Sequence, residues 1–345
     1  SDALDMQDNN KILLGTGDDL EIYFDGTNTV IDHTPNAGQM FIRADQIAVD
    51  DSGGSGPHSP KNYFTLYEGT GAVFNEDGEA AHDFRVESDS NANALFIEGS
   101  TGNIGIGATP TTFHADLTGV QIGGNGILQH ETTAGDGKTF KIAQNVREEI
   151  TSGDFTYIST DEASLIELNS GAVNIKTAPS GTAGATAPMT QRFSVSQAGA
   201  VTAPTTPAFL AQPASNQLNF AENSNVTVVI GTERFDQGSN FASNTFTAPV
   251  TGKYQLSAML YMENIELATE YYEMKIVTSN RSYFNIFSPG GLDTDDLQYW
   301  VLSLSVLADM DASDTATLQI RQGGTSQDET ADLGVQSFFS GYLAC

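Results

Sequence analysis

The sequence predicts an all-β chain, and three observations carry that prediction. Apolar residues recur in short period-2 runs, such as Tyr254, Leu256 and Ala258, while no long stretch spaces them at helical intervals. The chain holds 34 Gly with abundant Thr, Ser, Asn and Asp, and only 39% of its residues are hydrophobic. That is the composition of short strands joined by many turns. Turn pairs such as Gly17-Asp18 and Asp25-Gly26 punctuate the runs. With 345 residues there is room for two or three domains and ample core.

Residues 1–60 read as an N-terminal β module for attachment. The segments Lys11–Asp19, Leu20–Gly26 and Thr29–Asp32 read as strands of about four to six residues separated by Gly-Asp and Asp-Gly turns, and Asp50 to Pro57 is a linker by composition. The opening Ser-Asp-Ala-Leu-Asp has no signal-peptide apolar region and no initiator Met, as expected of a trimmed chain or a fragment.

Residues 61–207 repeat themselves. The segments Phe96–Pro110 and Phe193–Pro207 superpose without a gap, bringing Gly102-Asn-Ile104 onto Gly199-Ala-Val201. Gly171-Ala-Val173 and Gly71-Ala-Val73 repeat smaller pieces, giving roughly one unit per 30 residues. One such unit has too little apolar surface to stand alone, so it must lean on the next unit or on the same unit of another copy. The irregular period favours an intertwined trimeric β-shaft over a regular solenoid or β-helix; a set of ordinary hairpins, each with a Gly turn, is the plainer alternative. Thr177–Pro188 and Thr202–Pro207 are Pro/Gly/Thr-rich connectors.

Residues 208–345 read as a head. Its strands show as Val226–Ile230, Thr245–Thr247, Tyr254–Tyr261, Tyr271–Thr278, Trp300–Leu307, Ala316–Ile320 and Phe338–Leu343, a count that suits a jelly-roll sandwich. Tyr254, Trp300 and Phe338 are assigned to core or to a seam between copies.

Two resemblances add to this. Phe235-Asp236, Phe241, Phe246-Thr-Ala-Pro249, Gly252-x-Tyr254 and the terminal Phe339-Ser-Gly-Tyr-Leu343 resemble the signature of the complement-1q/tumour-necrosis-factor globular head. The segment between Phe241 and Phe246 is shorter than in that pattern, and Leu256 and Ala258 stand where aromatics are usual. The resemblance implies a trimeric jelly-roll knob, in some members with calcium in its loops. The blocks Asn9–Asp32 and Asp83–Gly107 resemble modules in tail fibres and other appendages of tailed bacteriophages of marine bacteria, which implies a virion location.

Charge and motifs exclude much else. A net charge of −30, from 44 acidic and 14 basic residues, repels nucleic acid and anionic lipid, and no apolar run is long enough to span a membrane. Cys345 is the only cysteine, so no intrachain disulfide is possible. His33, His58, His82, His114 and His130 are scattered, with none in the head and no metalloprotease or nucleophile-elbow motif. Gly102-x-x-Gly-x-Gly107 precedes no helical pattern and reads as a turn. A glycan-cleaving pair of carboxylates about 5–10 Å apart cannot be nominated among so many acids, and no enzyme is expected. The sequons at Asn225 and Asn280 are read as coincidence.

Recognition is the expected work, through the head loops Met262–Glu270, Ser279–Gln298 and Gln322–Gln336. Arg281, Tyr283, Asn285 and Gln327 are the candidate contacts to a host-surface glycan or protein. Closely spaced carboxylates at Asp293, Asp295 and Asp296, and at Asp309, Asp311 and Asp314, are candidate Ca²⁺ ligands, with Asp328, Glu329 and Asp332 behind them; a solvated acidic loop is the alternative. The expected whole is a homotrimeric fibre on a phage tail or particle surface, bound to other virion proteins at its N-terminal end. The alternatives are a head fibre or decoration protein without a receptor, or a secreted bacterial adhesin.

Overall fold

The computed structural model describes residues 6–17, 20–33, 46–50, 62–67, 71–75, 80–135, 137–148, 154–292, 295–324 and 330–345. These residues contain strands and turns and no helix, so the all-β expectation holds. The chain divides into two compact units, Ser1–Phe84 with Ile97–Gly102, and Arg85–Phe96 with Asn103–Cys345. The boundary expected near residue 60 lies outside the described residues.

In the first unit, β1 (Lys11–Leu14), β2 (Leu20–Phe24) and β3 (Thr29–His33) form an antiparallel meander, and β4 (Gln46–Asp50), β5 (Asn62–Tyr67) and β6 (Gly71–Phe74) form another. The Asp25-Gly26 turn is built as its residues suggest. The Asp25 carboxylate accepts from the backbone N–H groups of Asn28 and Thr27 at 2.7 and 2.8 Å, which hold its pKa below the usual value, and Gly26 takes a φ of 95°.

The chain continues through β7 (Phe84–Val86), β8 (Leu95–Ile97), β9 (Ile104–Ile106), β10 (Leu117–Ile122), β11 (Gly126–Glu131), β12 (Thr139–Gln144), β13 (Val146–Glu148), β14 (Phe155–Tyr157), β15 (Asp161–Asn169), β16 (Ala172–Gly181), β17 (Thr190–Val195) and β18 (Val201–Thr202). One sheet takes β18-β17-β16-β15-β12-β11-β10-β9 in that order, with β8 and β7 at its end. From β10 to β18 every pair is antiparallel; β9 alone meets β10 in parallel. These ladders form within the chain; β10–β11, β11–β12, β15–β16, β16–β17 and β17–β18 are hairpins. Gly102, Gly171 and Gly199 of the repeat sit in the left-handed region at φ 72°, 78° and 83°, which is what the recurring Gly supplies. Ser170-Gly171, both left-handed, make a two-residue I′ turn between Asn169 and Ala172.

One face of this sheet is covered by the β13–β14 pair and the loop bearing Phe113. Val146, Phe155, Tyr157, Ala163, Leu165, Ala178 and Ala187 form one core there, and Phe113, Leu117 and Ile127 a second. Polar groups are buried with them. Lys141 meets Glu148 at 2.5 Å with both side chains almost fully enclosed, and Gln129 donates to the Glu148 carbonyl.

The head comprises β19 (Ala208–Gln212), β20 (Val226–Thr227), β21 (Thr232–Gln237), β22 (Phe241–Ala242), β23 (Thr245–Thr247), β24 (Gly252–Ile265), β25 (Tyr271–Thr278), β26 (Ser282–Phe287), β27 (Leu297–Met310), β28 (Thr315–Gly323), β29 (Asp332–Leu333) and β30 (Phe338–Leu343). Two antiparallel sheets result, β21-β19-β30-β24-β27 and β22-β23-β28-β25-β26, with the chain crossing between them in jelly-roll fashion. Tyr254, Leu256, Ala258, Leu260 and Met262 point inward from β24 and meet Tyr272, Met274 and Ile276 of β25 and Ala316, Leu318 and Ile320 of β28 in one core. Phe209 stacks between Phe241 and Phe246 and meets Phe339 edge-on, with centroids 4.8–5.1 Å apart. The short connection noted in the sequence is a hairpin turn, Ser243-Asn244, with both φ positive at 50° and 64°.

Two of the segment readings change. Thr177–Pro188 reads as a connector by composition, yet β16 runs through Thr177 to Gly181, and Ala178 and Ala187 are buried in the core against the sheet, because small apolar residues suffice to pack there. Residues 279–298 were read as a loop, yet Ser282–Phe287 is an edge strand paired with β25. Its large residues fall on both faces, Tyr283 and Phe287 inward and Phe284 and Ile286 outward, which hides the period-2 signal.

Candidate functional site in the C-terminal head

The strand register sorts the head loops to two ends. The chain arrives at Pro207, whose carbonyl accepts from Leu343 N–H, while the Gln237 side chain donates to the carbonyls of Ala203 and Thr206. Lys253 N–H donates to the Cys345 carbonyl at the same end, so arrival and C-terminus lie together. This proximal end also holds the turns 248–251, 279–281 and 311–314. The distal end gathers 266–270, the connection from β26 to β27, and the described residues after β28.

The candidate contact residues separate accordingly. Arg281 is at the proximal end, its guanidinium donating to Asp309 at 2.8 Å across an exposed pair. Tyr283 packs against the core, and Asn285 donates its side-chain amide to the Ser303 carbonyl at 2.9 Å, tying the edges of the two sheets together. Gln327 lies outside the described residues. On β26 the exposed residues are Ser282, Phe284 and Ile286.

The candidate metal ligands are divided in the same way. Asp309, Asp311 and Asp314 are proximal; Asp295 and Asp296 are distal, and Asp293, Asp328 and Glu329 lie outside the described residues. Asp314 accepts from the Asn280 side chain at 3.0 Å and from Asp311 N–H at 2.9 Å, closing its own turn, and Asp296 accepts from Leu267 N–H at 2.8 Å. Among the described residues no three His, Cys, Asp or Glu side chains are grouped to hold a metal ion.

Beneath the distal loops lies a buried polar cluster. The Glu266 carboxylate accepts from Thr269 and Gln322 at 3.3 and 3.4 Å, and Glu266 N–H donates to the Tyr272 phenol oxygen at 3.1 Å. Burial pushes the Tyr272 pKa up, offset in part by the hydrogen bonds from Thr269 and from the Glu266 backbone. Asp332 bridges two segments, accepting from Asn219 N–H at 2.7 Å and the Asn264 side chain at 2.9 Å. The cluster positions distal loops; with no His in the head, it contains no histidine-based nucleophile–base pair.

The second surface is the outward face of β21-β19-β30-β24-β27. Register places Leu307, Gln255 and Tyr342 in one row and Ser305, Ser257 and Ser340 in the next, continuing to Leu210 and Phe235. A groove of about 300 Å³ runs over Leu210, Phe235, Gln255, Ser257, Ser340 and Tyr342. Phe338 lies on this outward face, half-buried, whereas its neighbour Phe339 fills the core. Trp300 stacks on Phe287 at 4.0 Å at the core's edge.

No family model matches the chain, and no curated protein matches it. Solved structures do. The globular domain of a zebrafish complement 1qA protein is 15% identical, with a TM-score of 0.31, over 41% of this chain and 98% of its own length. Crystal structures of murine APRIL at pH 8.0 and pH 5.0 are each 12% identical, with TM-scores of 0.30, over 40% of this chain and 98% of theirs. The likeness is to complement-1q and tumour-necrosis-factor globular domains.

Proposed function

We propose that the chain is a homotrimeric fibre of a tailed-bacteriophage virion that binds a host-surface glycan or protein through the distal loops of its head. One observation supports the reading: residues 203–207 and Cys345 meet at one pole of the sandwich, while the loop 266–270 and the described residues after β26 and β28 gather at the other. The candidates at Arg281, Tyr283 and Asn285 are committed to Asp309, the core and Ser303, so the contact falls to 266–270 and the described residues 288–292 and 295–296. Those loops vary without disturbing the sandwich beneath them. The mixed apolar and hydroxyl face of β21-β19-β30-β24-β27 is the seam between heads. Three weak contacts per fibre, multiplied over fibres, then give avidity beyond one site.

Light scattering on the intact chain tests the assembly, with three times 36.6 kDa expected. Gold-labelled antibody on purified particles tests the location: label at a fibre tip supports the reading, and label over the capsid favours a decoration protein. The purified chain should also block adsorption of the phage to its host; unimpaired adsorption at saturating chain counts against a receptor. Release of reducing sugar from host polysaccharide would replace adhesion by depolymerisation.

A further inference from the structure

The middle sheet leaves its more apolar face open. Register aligns Ile104, Val120, Leu128, Ile142, Ile166, Ile175 and Phe193 in one unbroken row across seven strands. A second row on the same face runs His130, Phe140, Leu168, Val173, Val195 and Val201. Ile142 is 45% exposed, Ile166 39%, Leu168 41% and Val201 62%. Beside them Ile106 and Ile122 pair across β9 and β10, both nearly half exposed. The first row alone spans about 29 Å at the usual strand spacing. The opposite face, which the chain does cover, carries Lys141, Glu167, Gln121 and Gln129 among its buried residues. Burial is inverted relative to chemistry.

We infer that this open face is where copies of the chain pack on one another, face to face. Its occupant is a second copy for three reasons. Eight large apolar residues of this face are each at least 36% exposed in one contiguous patch, which a lone soluble protein rarely shows. Neither row contains Asp, Glu, Lys or Arg, in a chain of net charge −30. It is a patch where two such chains meet without opposing carboxylates, while an anionic lipid surface is repelled by the rest of the molecule. And the rows are bounded by Gln144, Ser164 and Thr177, a polar margin that stops the contact where the sheet turns wet. The inference rests on the fibre reading for the number of copies, and stands on the sheet for the contact itself.

Thiol accessibility in the full chain tests it. Cys345 is exposed and is replaced by Ser; one cysteine is then placed by Ile166→Cys, or by Ala183→Cys in an exposed turn as reference. Maleimide should modify position 166 roughly tenfold more slowly than position 183, because reaction waits on dissociation, and the gap should close on dilution. A triple Ile142→Thr, Ile166→Thr, Ile175→Thr variant keeps β-branched side chains and should lose mass by light scattering. Rapid modification at 166 in a chain that still weighs three copies overturns this inference and leaves the fibre reading with the head as seam. A monomer with rapid modification overturns both. Slow modification unchanged by dilution shows that the face is covered within one chain, and overturns the inference too.

Discussion

The head and the middle sheet use the same period-2 alternation and put it to opposite use. In the head, inward residues of β24, β25 and β28 face a second sheet of the same chain, and Leu256, Met274 and Leu318 are fully enclosed. In the middle, Ile142 and Ile166 alternate just as cleanly with Lys141 and Leu165, yet the isoleucines face out. Alternation says which residues share a face. It does not say which face is the core, because that depends on what arrives to cover it.

The strongest break of the comparison is in the head core. Phe209→Ala removes the ring held between Phe241, Phe246 and Phe339, and should cost about 3–5 kcal/mol in head unfolding at any protein concentration. A loss that depends on protein concentration would show that the head is no independent core. The buried pair of the middle sheet comes next. Lys141→Met removes the ammonium that meets the buried Glu148 carboxylate and should cost on the order of 3 kcal/mol, whereas Lys141→Met with Glu148→Leu should recover most of it. Equal losses for single and double variants would mean the pair contributes net stability.

Smaller effects sharpen the contrast. Asp236 accepts from Asn240 and Phe241 N–H at 3.0 and 2.9 Å and shapes the turn into β22, so Asp236→Ala should cost about 1–2 kcal/mol by denaturant titration. Tyr272 has a raised pKa in the folded head, chiefly from burial. Its contribution is therefore whole below the unfolded value near ~10 and is lost as pH rises through the folded one. Tyr272→Phe should flatten the alkaline limb of head stability, and an unchanged limb would dissociate Tyr272 from it.

Glu131, in the middle sheet, gives the opposite sign and the least effect. Burial pushes its carboxyl up, but hydrogen bonds from Thr139 N–H and hydroxyl, with Lys141 nearby, hold it below the usual value. Its support is whole above the unfolded value near ~4.3 and is lost as pH falls through the folded one. Glu131→Gln should lessen the acid sensitivity of the middle sheet, read as the midpoint of acid unfolding.

Much of the architecture was legible because local chemistry dictates it. The Gly of the repeat marks hairpin turns, since Gly102, Gly171 and Gly199 need positive φ, and each of the strands read in the head has its counterpart. Strand β26 was not legible, because aromatics on both its faces mask the period. The candidate site was less so. Arg281 looked free for a ligand as a sparse base in an acidic chain, but Asp309 lies opposite it once the β25–β26 turn of one sheet packs against β27 of the other.

By itself, then, the sequence determined the all-β class, the turns and which side chains stand together on a strand, since φ preference and alternation act over a few residues. Only the tertiary structure decided which loops gather at each end of the head, which acids are spent on closing turns, and which face of the middle sheet the chain leaves open. Those depend on segments that meet from far apart in the chain, and on the burial such meetings confer.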